Sequence, residues 1–150
     1  MYRNLIFTFI LFATFSIINA VPQFRKRETP FYRCAVGDLL TVKVSPDPLV
    51  SEQPATYTVS GTLSNDITAG KTILEIVYDE IDEISEQYLE EPFIQILTDS
   101  YKAGTPFNTT AKDVPTPKFP DSYFIGVMIA DPTDDPKQPL DVYGCAFSVY

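Results

Sequence analysis

Histidine is missing altogether from the 150 residues of this chain. Its absence excludes Ser-His-Asp and Cys-His catalysis in their usual forms, and every zinc site that uses an imidazole. Cysteine is scarce: two residues cannot hold zinc by themselves, though they can form one disulfide. Positive charge is scarce as well, with 11 Lys and Arg against 20 Asp and Glu and a formal charge of −9. No nucleic-acid partner is expected, because a phosphate backbone demands a basic stripe. Past the first twenty residues there is no apolar run long enough to span a bilayer. The length admits one domain with one real core, and not two. What the chain has in quantity is proline, 13 residues, and aromatics, 13%. Both point to a turn-rich β protein rather than a helical bundle.

The first twenty residues read as an address. Residues 1–4 carry Arg3, residues 5–18 are apolar apart from Thr8, Thr14 and Ser16, and Asn19-Ala20 supplies a small residue for cleavage. This is the three-part pattern of a secretory signal peptide, and its apolar run falls short of the roughly 20 residues a spanning helix needs. A soluble protein, secreted or delivered to a vacuolar or endolysosomal lumen, is expected. Residues 21–33 form a basic linker or propeptide, in which Arg25-Lys26-Arg27 is either a processing site or a solvated basic run. An oxidising compartment suits Cys34 and Cys145, which sit at the two ends of the mature chain. A bond between them would close a loop worth about 4–5 kcal/mol in the chain-entropy model. Asn108-Thr109-Thr110 is an N-glycosylation sequon, so Asn108 is a candidate modification site.

Short alternating runs separated by Pro, Gly, Asn and Asp fill the remainder. Leu40, Val42 and Val44 alternate with polar residues, as do Tyr57, Val59, Gly61 and Leu63. Residues 72–78 form a third strand, with Glu75 on the wet face and Leu74, Ile76 and Tyr78 facing in. The acidic stretch 79–91 is the one segment with helical potential. Strands follow over 93–97, from 104 to 114, over 123–129 and over 142–149. The expected inward sets there are Ile94 and Ile96, Phe107, Ile125, Val127 and Ile129, and Phe147 and Val149. About seven strands with turn signals every 8–15 residues argue for an antiparallel, immunoglobulin-like β-sandwich.

Several stretches, in order and spacing, resemble the ML (MD-2-related lipid-recognition) domain family. They are Cys34, then Val44-Ser45-Pro46-Asp47-Pro48, Ser60-Gly61-Thr62, Asp66-Ile67 with Gly70, Lys102-Ala103-Gly104-Thr105-Pro106-Phe107, and Tyr143-Gly144-Cys145. The resemblance covers 34–150 and is strongest to the fungal phosphatidylglycerol/phosphatidylinositol transfer branch, related to Niemann-Pick type C2 proteins. It implies an apolar cavity between two sheets, a Cys34–Cys145 disulfide, a monomer, and a phospholipid or sterol ligand taken from a transient membrane surface. It implies no enzymatic activity and no cofactor. Family members carry a further disulfide near the middle, whose positions here would be Ile94 and Asp99.

On this basis the candidate lipid-binding residues are Phe107, Pro106, Lys102, Tyr78, Ile76, Ile94, Ile96, Ile125, Val127 and Phe147. The resemblance puts the cavity mouth near Gly104-Thr105-Pro106-Phe107, with Phe107 at its border and Lys102 the nearby cation for a phosphate. Periodicity alone suits a filled core equally, so a secreted interaction protein that binds a receptor or glycan through its loops is the alternative. The carboxylates of 79–91 lack the spacing and turn glycine of an EF-hand, so no metal site is expected.

Overall fold

The computed structural model describes residues 28–81 and 89–150. The expected signal peptide over residues 1–20, the tribasic run and residues 82–88 of the acidic stretch lie outside the described residues. Among the described residues there are nine strands and no helix. These are β1 (Tyr32–Arg33), β2 (Asp38–Leu39), β3 (Thr41–Ser45), β4 (Ala55–Thr62), β5 (Ile73–Glu80), β6 (Phe93–Ile96), β7 (Pro106–Val114), β8 (Tyr123–Pro132) and β9 (Leu140–Val149). A six-stranded sheet runs β1-β9-β8-β5-β6, with β2 also paired to β9, and a three-stranded sheet runs β3-β4-β7. All pairings are antiparallel except that of β2 with β9. The protein is an all-β sandwich, as the alternation implies.

Strand β4 shows the period of two most plainly. Ala55, Tyr57 and Val59 are buried, while Thr56, Thr58 and Ser60 between them are half-buried. Across the gap, the six-stranded sheet presents Leu74, Ile76, Ile125, Val127 and Ile129, all 0% exposed. These residues and Tyr57, Val59, Leu63, Phe107 and Ala111 form one core cluster. Each buried aliphatic side chain contributes about 1.5–3 kcal/mol relative to exposure.

Three expectations about faces are corrected. Glu75 does not mark a wet face: it is 8% exposed, on a central strand whose residues are buried on both sides from Ile73 to Tyr78. Ile94 and Ile96 do not face inward; they are 55% and 58% exposed. Register explains this, because Leu74 pairs with Gln95 and Ile76 with Phe93, so Phe93 and Gln95 take the core side of β6. In β9, Ala146 and Ser148 are fully buried while Phe147 is half-buried and Val149 is exposed. Ala146 lies opposite Val127 and Ser148 opposite Ile125, so the small residues face the core beside branched ones.

The first described strand is tied to the last. Cys34 and Cys145 form a disulfide with Cα atoms 5.6 Å apart, and β1 lies beside β9. Next to it, a Cβ on Gly144 would come within 2.7 Å of Leu40 and Leu63 side-chain atoms. Glycine there lets these two leucines close the core against β9.

Candidate functional site

The end of the sandwich that carries Phe107 is tightly held. Phe107 pairs with Gly61 at the start of β7, is 4% exposed, and lies 6.1 Å from the ring of Tyr101 in a tilted contact. Between Phe107, Leu97 and Tyr101 is a niche of about 20 Å³. A niche of that size holds about one water molecule and no acyl chain. Pro106 is exposed beside it. The Gly104 N–H donates to the Leu63 carbonyl at 2.8 Å, and the Ala103 N–H donates to Asp66 at 2.8 Å.

Lys102, expected to wait for a phosphate, already has a partner. Its ammonium lies 2.7 Å from the Asp66 carboxylate on the protein surface. That hydrogen bond holds the Lys102 pKa above the ordinary lysine value, and it holds Asp66 below the carboxylate value.

The opposite end holds a buried pair of tyrosine hydroxyls. The Tyr57 hydroxyl from β4 and the Tyr78 hydroxyl from β5 meet at 2.9 Å, linking the two sheets. Burial, followed by the neighbouring Tyr78, pushes the Tyr57 phenol well above its ordinary value, and burial pushes Tyr78 up to about 12. Both are therefore neutral hydrogen-bonding groups and not bases. Over them lie stacked rings: Phe119 is 5.7 Å from Tyr78 and 4.3 Å from Tyr123, and Tyr123 is 4.7 Å from Tyr150. The Tyr150 hydroxyl donates to Thr29, whose own hydroxyl donates to Asp47 at 2.7 Å. Phe119 reaches this layer from the proline-rich connector, which Ser51 and Thr116 pin through hydrogen bonds.

Of the expected lipid-binding residues, Ile76, Tyr78, Ile125 and Val127 share the buried space between the sheets with Phe107. Pro106, Lys102, Ile94 and Ile96 are exposed, and Phe147 is on the outer side of β9. The structure adds Tyr57 as the partner of Tyr78, with Phe119, Tyr123 and Tyr150 above the pair. A tyrosine at an inward position of an otherwise aliphatic set was the available signal, since a buried hydroxyl must find a partner. A larger, open cleft of about 530 Å³ runs along β3, lined by Glu28, Thr29, Lys43 and Asp47 among others, and none of the expected lipid residues reaches it. Asn108 lies on β7 with its side chain exposed.

No protein-family model matches the chain, and no curated protein matches it.

Proposed function

We propose that this protein is a lipid carrier without covalent chemistry. It takes one phospholipid of the phosphatidylglycerol or phosphatidylinositol type, or a sterol, from a membrane. It shields the apolar part between its sheets and releases the lipid at another membrane, outside the cell or in a vacuolar or endolysosomal lumen. The observation that carries this reading is the pair of facing sheet surfaces, lined by Leu74, Ile76, Ile125 and Val127 on one side and Tyr57 and Val59 on the other. An acyl chain moved from water to such surroundings is stabilised by about 0.8 kcal/mol per buried CH₂. The free edges of β6 and β7 also support it. They adjoin through a long 3.4 Å bond from the Gln95 amide to the Thr110 carbonyl and are not paired as neighbouring strands of one sheet. The end-to-end disulfide and the motif order of the ML resemblance agree with it.

The test is transfer between vesicles. Donor vesicles of phosphatidylcholine carrying labelled phosphatidylglycerol, phosphatidylinositol or sterol are mixed with unlabelled acceptors. Catalytic acceleration by the protein supports the carrier; rates equal to the protein-free control for all three overturn it.

A second reading, an interaction protein with a filled core, is favoured by a different observation. Tyr32, Leu39, Val149, Ile94 and Ile96, each at least half exposed, lie in strands of the six-stranded sheet. Such apolar exposure suits a protein partner.

A further inference from the structure

Three buried hydroxyls lie on the core side of the sheets at the end opposite Phe107, those of Tyr57, Tyr78 and Ser148; the Ser148 hydroxyl has no partner, and the tyrosine pair has a hydrogen to spare. Two hydroxyls 2.9 Å apart share a single hydrogen bond, which uses one O–H proton. The second O–H then needs an acceptor of its own. No further hydrogen bond of either group is found among the described residues. Tyr57 is 0% and Tyr78 2% exposed, so bulk water does not supply it. A buried donor left without an acceptor is costly.

We infer that the Tyr57–Tyr78 pair is the polar end of the lipid site, where the free O–H donates to an oxygen that the lipid brings. The inference rests on the carrier reading and reverses the orientation the resemblance implies. At the other end, Lys102 is bound to Asp66, and the space beside Phe107 holds about 20 Å³. Tyr57 stands four residues from Gly61, the partner of Phe107, or about 13 Å along an extended strand. A lipid bound this way sets its oxygen-bearing end under the rings of Phe119 and Tyr123 and runs its apolar end toward Phe107. The chemistry required is a hydrogen-bond-accepting oxygen at the head of an apolar body. A sterol hydroxyl supplies it, and so does the ester carbonyl of a phospholipid.

The test compares lipids with and without that oxygen, on wild type and on Y57F/Y78F. The double variant keeps both rings and removes both hydroxyls together, a change that is close to neutral for folding. One arm uses phosphatidylcholine vesicles carrying cholesterol or 5-cholestene, which lacks the hydroxyl. The other arm uses vesicles of diester or dialkyl-ether phosphatidylglycerol. In the arm that matches the ligand class, wild type is expected to favour the oxygen-bearing lipid about tenfold, and Y57F/Y78F less than about twofold. A cooperative thermal unfolding transition near that of wild type shows that the variant is folded. Uptake by wild type with no preference in either arm overturns the inference and leaves the carrier reading standing, as does a preference that survives in the double variant. No uptake of any of the four lipids by wild type overturns both.

Discussion

The hydroxyl of Thr72 donates to the carboxylate of Asp131 at 2.7 Å, and both side chains are buried, at 0% and 5% exposure. The bond joins the residue before β5 to the far end of β8, and Lys71 closes on the other carboxylate oxygen. Thr72 in turn accepts from the Thr68 N–H at 2.9 Å. Burial works against the Asp131 charge, but Lys71, Thr72 and Tyr143 outweigh it and hold the pKa below 3.8. A carboxylate depressed in the folded state contributes stability above its unfolded pKa, and that stability is lost as pH falls through the folded value. Asp131→Ala is expected to cost about 2–3 kcal/mol near neutral pH, read from urea unfolding. The loss relative to wild type should shrink below pH 3.8, the range in which wild-type Asp131 itself takes up a proton.

Glu75 titrates the other way. Burial raises its pKa above 4.5, and one of its carboxyl oxygens, Oε2, has no hydrogen-bond partner. A raised folded-state pKa gives stability that is complete below the unfolded value and is lost as pH rises through the folded one. Glu75→Gln removes the charge and keeps the shape. The variant is expected to melt above wild type near neutral pH, with the gap closing as pH falls to 4.5, the ordinary glutamate value. A gap independent of pH would show that Glu75 carries no such strain.

The two core tyrosines give a test of stability separate from lipid selectivity. Tyr57→Phe or Tyr78→Phe alone strands the remaining hydroxyl and is expected to cost about 1–3 kcal/mol. The double variant is expected to cost less than the sum of the singles, a coupling that a double-mutant cycle reads directly.

Replacing both Cys34 and Cys145 by serine opens a loop that spans a sequence separation of 111 residues. The chain-entropy model gives a loss of about 4–5 kcal/mol for a loop of this length, seen as a large fall in melting temperature. A fall equal to that produced by reductant on wild type would assign the whole effect to the bond.

The chain contains no tryptophan, so a single one is an unambiguous reporter. Tyr101 is half-buried against the core next to Phe107. If lipid tails run toward Phe107, Tyr101→Trp is expected to shift its emission to the blue when lipid is loaded. Unchanged emission in protein shown to hold lipid would put the tails elsewhere.

Most of the fold was legible because period-two alternation is a direct consequence of a half-buried strand. Strands β3, β4, β5 and β9 were visible this way, and β7 and β8 as extended runs between turn residues, with ends displaced by a few residues. The faces of β6 and β9 were not. In Phe93-Ile94-Gln95-Ile96 hydropathy alone puts the two isoleucines inside, yet register against Leu74 and Ile76 decides otherwise. In β9 the core has room only for Ala146 and Ser148 opposite Val127 and Ile125. Burial of Glu75 was hidden for the same reason: a central strand is covered by its neighbours whatever its own pattern. The Tyr57–Tyr78 contact joins strands of different sheets, and nothing local in the sequence pairs them. The Lys102–Asp66 pair likewise spans 36 residues and becomes visible only once the chain has folded.

The carrier reading meets its most direct test in native mass spectrometry of the protein secreted from a eukaryotic host, with lipid extraction of the same sample. One phospholipid or sterol bound per chain is the expected result, and the extract names its class. A bare protein mass that persists after incubation with phosphatidylglycerol, phosphatidylinositol and sterol vesicles would contradict the carrier and leave the filled-core interaction protein in its place.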